Sequence, residues 1–426
     1  MDRLFSLGFR TLRRLAEFGQ ALPEFGQVLL AMVRPAQTGD ARRSSATPAR
    51  YRELVNALEP PPDRPMPLHE LERAVPGEAT MIRQMARIAA EAVVTNYCEM
   101  KVSDCSTPAM RDQHAKTHGC VSAEFIVRHD LPPEFTTDLF RPGARYTATL
   151  RFSNGRGTAG SDRKIDARGL SIKLHEVGTD TILRMLAPDK ASAGEHDFAL
   201  SSFPIFFCKN VIDYTLLMNA VSAPHATWRE KLGRGLRWLE FVIRCPRQFY
   251  LFLRIAVEGL LTVRNPLTAT YHSMSPFLFG EHKVVRYLVG PRDGQDEGAR
   301  WRTFVPWTKP ENFLRDALVR DLDPHQPGAD VVLDFSIRVR HAATPDDVED
   351  ASRWWTRPQD EVVRLGSIAI PRQSLLAQNQ LYDCEHMVFN PWNCLPEHRP
   401  LGSVNRMRLA VYLASRQVRR KLNMVA

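Results

Sequence analysis

Long apolar runs are scarce in this chain. The stretch Phe25 to Val33 is too short to span a bilayer, and the residues before it interleave Leu4, Phe5, Leu7, Phe9, Leu12, Leu15 and Phe18 with Arg3, Arg10, Arg13 and Arg14. That pattern excludes a clean secretory signal and reads as a basic amphipathic helix. Cysteine is also sparse, seven in 426 residues and without paired spacing. An odd, scattered set argues against a disulfide framework and for reduced thiols in a cytoplasmic setting. No internal repeat is evident, which excludes solenoid and propeller architectures. No nucleic-acid motif is present, and although the formal charge is +9 the basic residues are spread along the chain. Nucleic acid is therefore not expected as a partner, whereas an acidic membrane surface or a carboxylate-bearing ligand fits the charge.

What is present suffices for a large core, since 44% of the residues are hydrophobic. Pro/Ser/Arg-rich linkers at Pro35 to Arg50 and Pro60 to Pro67 divide the chain into an appended arm, residues 1–75, and a main domain, residues 76–426. Contact of residues 1–34 with a membrane surface and packing of the same arm on a partner subunit are both open. From Glu78 to Val94 the pattern is helical, with Met81, Met85, Ile88 and Ala92 on one side. Arg145 to Ser153 alternates as a half-buried strand, Tyr146, Ala148, Leu150 and Phe152 on one face. Short β-branched strands are expected at Val284 to Val289, Val331 to Val339 and Val362 to Ile370. Residues 228–261 read as an aromatic-rich helical pair broken near Pro246, core or subunit contact first, with a membrane-facing patch or an apolar substrate channel as the alternative.

Three motifs invite chemical readings. His114, His118 and Cys120 suggest a metal site, but no second Cys or His pair at finger-like spacing accompanies them. Gly155, Gly157 and Gly160 spell G-x-G-x-x-G, yet the polar run Ser161-Asp162-Arg163-Lys164 follows instead of an apolar helix, so a turn is expected rather than a dinucleotide site. Arg408 and Tyr412 stand four apart among good helix formers and share a helix face. A guanidinium against a phenol stabilises its anion, so Tyr412 is a candidate ligand for ferric iron. These two residues alone fit an ordinary helix pair better, Tyr inward and Arg outward.

The segment from Phe389-Asn390-Pro391 through Arg408, Tyr412 and Arg419 resembles the proximal helix of haem catalases. Further matches follow in the same order as in that family: Arg111-x-x-His114, Arg151-Phe152-Ser153, Asp166-Ala167-Arg168-Gly169, and Pro204-Ile205-Phe206-Phe207. The resemblance implies an α+β fold, a catalase-like antiparallel β-barrel with surrounding helices and an N-terminal helical arm. It implies haem b, with Tyr412 as the iron ligand and Arg408 as its partner. Arg111, Arg151 and Arg419 would hold the haem carboxylates, and Phe206 and Tyr214 would line the pocket. His114 would be the catalytic base and acid, oriented by Ser153.

Two positions depart from the family pattern. Ser201 stands where catalases place a catalytic Asn, and Gln113 replaces an apolar residue before His114. Both alter polarity beside the iron and favour a substrate larger than hydrogen peroxide. Catalase-like relatives include allene oxide synthases, which rearrange fatty-acid hydroperoxides. The expected activity is a peroxidase, a weak catalase or conversion of a lipid hydroperoxide, the alternative being a non-catalytic haem sensor or membrane-associated carrier. With fourteen residues beyond Tyr412, a small catalase-related protein is expected, cytoplasmic or peripheral to a membrane, assembled as a homo-oligomer. The loop Gly178 to Glu195 is expected to cover the haem edge.

Overall fold

The computed structural model describes residues 49–58, 67–101, 108–164, 166–178, 181–186, 194–223, 227–260, 263–292, 309–358, 360–376 and 380–424. The expected arm 1–34 and most of both linkers lie outside these residues.

Nine strands form one antiparallel sheet: β1 (Thr117–Val127), β2 (Arg145–Asn154), β3 (Arg168–Leu174), β4 (His196–Ser201), β5 (Tyr271–His272), β6 (Phe277–Phe279), β7 (Lys283–Pro291), β8 (Val331–Arg340) and β9 (Glu361–Ile370). Their order is β5-β4-β3-β2-β1-β9-β8-β7-β6, and β5 also pairs with β7. That extra pairing closes eight strands into a barrel, with β6 added to β7. Closure removes the free edges that an open sheet would expose.

The alternation read from the sequence fills the barrel. Tyr146, Ala148, Leu150 and Phe152 of β2 point inward with Leu170, Ile172, Phe198, Leu200, Leu333, Phe335 and Ile337. Phe335 meets Phe125 edge-on at 4.9 Å between ring centroids and Phe198 at 5.0 Å, spacing at which aromatic pairs attract. The opposite parity, including Arg151, Ser153, Gly169 and Ser201, therefore faces outward. Helices cover that outer face.

The helices that matter are α1 (Glu78–Lys101), α2 (Val211–Val221), α3 (Trp228–Arg244), α4 (Pro246–Leu260), α5 (Phe313–Leu322), α6 (Gln380–His386) and α7 (Ser403–Met424). The break between α3 and α4 falls at Pro246, which opens α4 as a first-turn proline can. On α1 the buried face extends beyond the expected stripe: Ile82, Met85, Ala86, Ala89, Ala90, Val93 and Val94 are buried, while Met81, Ile88 and Ala92 are half-buried. Alanines let α7 approach closely, and Val404, Met407, Ala410, Val418 and Leu422 meet this small-residue face.

Arg406 anchors the start of α7. It is buried among Glu72, Glu78 and Glu349, at 2.5, 2.5 and 3.2 Å. Burial opposes its charge, but the three carboxylates prevail and raise its pKa. Glu72 also accepts from Arg399 at 2.9 Å, and Val55 packs with Ala90 and Val418.

Candidate functional site

The site lies between the outer face of β2–β4 and α7. On the sheet, Gly169 pairs with Ser153 of β2 on one side and Ser201 of β4 on the other. Ser153, Gly169 and Ser201 thus form one row across three strands, sharing a face. The middle seat has no side chain, and a Cβ at Gly169 would overlap the imidazole of His114. The ring occupies that gap. Its Nδ1 lies 3.2 Å from Ser153 Oγ.

His114 takes φ +57°, a left-handed conformation that costs a non-glycine residue roughly 1–3 kcal/mol and persists only where neighbours fix it. The glycine loop supplies the fixing bonds. His114 N donates to Gly155 O at 3.0 Å and Ala115 N to Arg156 O at 2.9 Å. A Cβ at Gly157 would overlap Asp112 O, so glycine there allows the loop to lie against the 111–115 segment. The G-x-G-x-x-G stretch is a clamp for this segment.

Beneath it, Asn154 accepts from Arg168 and lies 2.9 Å from His118 Nε2. Asp162 accepts from Asn154 at 2.9 Å and Lys116 at 2.7 Å. Cys120 is engaged elsewhere, so His114, His118 and Cys120 do not converge. Among the described residues no three His, Cys, Asp or Glu side chains gather as a metal site.

Burial, then the cations Arg151, Arg408 and Arg111, push the His114 pKa down to about 3. The ring keeps some accessible surface, but protein surrounds it at longer range, and that longer-range burial is what a charge feels. His114 is therefore neutral near pH 7. The influence of Arg408, which belongs to α7, places both faces of the site within electrostatic reach.

On α7, Arg408 donates to Tyr412 Oη at 3.4 Å, with its guanidinium 5.7 Å from the ring centroid. Ser275 Oγ and Asn405 Oδ1, each 3.2 Å from Arg408 Nη1, orient it. Tyr412 is half-buried. Phe206 stacks on Phe207 at 4.7 Å and lies 5.4 Å from Tyr214. Tyr214 is pushed to higher pKa by burial and feels Asp112, Tyr412 and Arg408.

The three arginines expected to hold carboxylates do converge, and on a residue that sequence reading missed. Arg111 Nη1 lies 2.6 Å from Glu385 Oε2, and Arg151 Nη2 lies 3.3 Å from Glu385 Oε1. Arg419 donates to the Glu385 carbonyl oxygen and to Ala109 O. Thr117 also donates to the Glu385 carboxylate. Burial alone would raise the Glu385 pKa, but Arg151 and Arg111, aided by Thr117 and Arg419, hold it at about 2. Burial, with repulsion from Arg111, lowers Arg151 to about 10 and Arg419 to about 9, and Glu385 opposes both shifts. Three guanidiniums stand against the carboxylate of Glu385 and, near Arg419, that of Asp112, so the cations outnumber the carboxylates. Arg151 Nε has no hydrogen-bond partner in this buried place.

The cysteine reading needs correction. Cys120 of β1 and Cys384 of α6 form a disulfide, with Cα atoms 5.8 Å apart. It staples α6 to the barrel beside Glu385. Spacing rules missed it because 264 residues separate the partners. Cys208, Cys245 and Cys394 carry free thiols.

Gln113 also departs from expectation. Expected to alter the polarity beside the iron, it is exposed next to the Gly157 loop. Of the loop Gly178 to Glu195, residues 179–180 and 187–193 lie outside the described residues. Its helix Ile182–Leu186 docks by Ile182 N to Cys394 O and Leu183 N to Trp392 O. The Phe389-Asn390-Pro391 turn is tied to β4 through Asn390 N and Asp197 Oδ2 at 2.9 Å.

No family model matches the chain, and no curated protein matches it in sequence. Its fold is similar to solved catalases. Catalase A from Saccharomyces cerevisiae superposes with a TM-score of 0.53 at 16% identity, covering 75% of this chain and 63% of that one. A bacterial catalase gives 0.53 at 15% identity, covering 77% and 62%. The chain thus has a catalase-like fold, and the match spans less than two-thirds of the length of either catalase.

Proposed function

We propose that the chain binds haem b between the outer face of β2–β4 and α7 and uses it to process peroxides, organic hydroperoxides above all. The observation that carries this reading is the buried cluster of Arg111, Arg151 and Arg419, which outnumber the carboxylates of Glu385 and Asp112 beside them, on the same side of the barrel as the Arg408 and Tyr412 pair and neutral His114.

Tyr412 offers its phenol oxygen to the iron. Arg408, itself held by Ser275 and Asn405, donates a hydrogen bond to that oxygen. Arg111, Arg151 and Arg419 bind the two haem carboxylates. Phe206 and Tyr214 give the ring an apolar wall. Bound haem supplies the redox chemistry that cleaves an O–O bond.

His114 moves the proton. With Ser153 Oγ accepting from Nδ1–H, the open lone pair falls on Nε2, which takes the peroxide proton and returns it to the departing oxygen. A neutral imidazole is needed for the first of these steps, and burial beside three arginines keeps it neutral. Ser201, at the far end of the His114 row, offers a hydroxyl shorter than an amide and leaves more room for a bulky peroxide.

The test is to load the purified protein with haem b and mix it with hydrogen peroxide and, separately, a fatty-acid hydroperoxide. Consumption of the lipid hydroperoxide is expected, lowered at least 100-fold in His114→Ala, a loss typical of a removed general base. A loaded protein that consumes neither peroxide would favour the carrier reading.

A further inference from the structure

We propose that the outer face of α3 is a docking surface for an anionic lipid bilayer. α3 is apolar on two sides. Toward the protein, Phe241 and Trp238 pack with Cys208, Leu217, Cys245 and Phe252. Away from it, Trp228, Leu232, Leu236, Leu239 and Ile243 recur at spacings of four, four, three and four, which confines them to an arc of about 80°. All five are more than half exposed, Trp228 at 69% and Ile243 at 68%. The stripe runs about 22 Å along the helix. A continuous apolar ridge of that length marks a contact surface rather than scattered exposure.

Charge identifies the occupant. α3 carries Arg229, Lys231, Arg234, Arg237 and Arg244 against Glu230 and Glu240. Glu240 is engaged by Arg244 at 2.8 Å, and Glu230 caps the helix at Thr227. Arg229 lies 5.4 Å from the Trp228 ring centroid, at the rim of the stripe, and Lys231 is exposed along the opposite border. Apolar side chains between cations, with Trp at one end, match a layer whose surface is anionic and whose interior is hydrocarbon. The chain's own first residues are a poor cover, since Arg3, Arg10, Arg13 and Arg14 would meet cations. A second copy laid face to face would repeat that clash. No helix among the described residues is long and apolar enough to cross a membrane, so α3 docks in the plane of the surface.

Behind the stripe an aromatic chain leads inward. Trp238 lies 6.1 Å from Phe252, Phe252 lies 5.8 Å from Phe207, and Phe207 stacks on Phe206. The bilayer-facing helix is thus one layer from the aromatic wall of the candidate site. Lipid hydroperoxides follow as the substrate class, an extension that rests on the haem reading; the docking does not.

Sedimentation of the full chain with vesicles tests the docking, using phosphatidylcholine alone and phosphatidylcholine mixed with phosphatidylserine. Binding to the mixed vesicles is expected, weakening as salt rises. A double variant, Leu236→Glu with Ile243→Glu, should lose at least tenfold in vesicle affinity with its thermal midpoint unchanged, because both side chains are exposed. Should that variant unfold, Arg229→Gln with Lys231→Gln gives the second reading, a loss on the order of tenfold on mixed vesicles. Wild-type protein that stays in solution with mixed vesicles, or glutamate variants that bind as well as wild type, would overturn the proposal. So would a dimer that those variants dissociate, or vesicle binding that emerges only after residues 1–34 are removed, since either assigns the stripe to another occupant. Sedimentation needs no haem, so a protein that binds vesicles but takes no haem would sink the haem reading alone.

Discussion

His114 rests on the one position in its sheet row that carries no side chain. Gly169→Ala is expected to push the imidazole off Ser153 and to cut peroxide turnover at least tenfold while the barrel still folds, as near- and far-ultraviolet circular dichroism would check. Lost turnover with an unfolded barrel would mean instead that the glycine serves the sheet. Ser201→Asn puts a larger amide in the row next to Gly169, and a rise in hydrogen peroxide turnover relative to lipid hydroperoxide is expected.

The buried titrating groups give a direction for acid. An unfolded His takes a proton as pH falls through about 6.5, whereas folded His114 refuses one until about 3. An unfolded Glu does so near 4.5, whereas Glu385 refuses until about 2. In both windows the unfolded chain binds more protons, so stability is full above these unfolded values and is lost as pH falls. The urea midpoint should decline between pH 6.5 and 4.5. Removing Glu385 also strands its cations. Glu385→Gln is expected to destabilise the fold by about 3 kcal/mol, the cost of breaking a buried pair from one side, measured at pH 7 in urea.

At the scale of elements, what sequence revealed was local. Arg408 and Tyr412 are one helical turn apart, and Arg151 and Ser153 take one parity of an alternating strand, so each pairing follows from backbone period alone. Glu385 was not legible for the opposite reason. Its ion pairs reach Arg111 and Arg151 across more than 230 residues, and nothing near Glu385 marks it. The same distance hid the disulfide. On α1 the stripe Met81, Met85 and Ile88 packs on the core, and the small alanines beside it permit close packing against α7. Cys384→Ser should loosen α6 and lower stability by about 2–4 kcal/mol. A dithiol reductant should do the same to wild type and nothing further to the variant. Equal stability in all forms would mean the staple constrains little.

For the whole molecule, the closed barrel supplies a rigid outer face on which side chains from β2, β3 and β4 hold fixed relative positions, and α7 presents Arg408, Tyr412 and Arg419 opposite it. The segment 108–115 runs between the two, tied to α7 by Ala109 N and Asn423 Oδ1 at 2.7 Å and by Arg419 to Ala109 O. Order along the chain mattered more than any one motif. Each motif alone is compatible with an ordinary surface, yet five in sequence led to the barrel and helices that are observed. Haem binding through Tyr412 is the step on which the functional reading depends. The measurement is an absorption titration of the apoprotein with haem b, run in parallel on Tyr412→Phe. A Soret band that saturates at one haem per chain in wild type and fails to form in the variant is expected. No band in wild type, or an identical band in Tyr412→Phe, would contradict it.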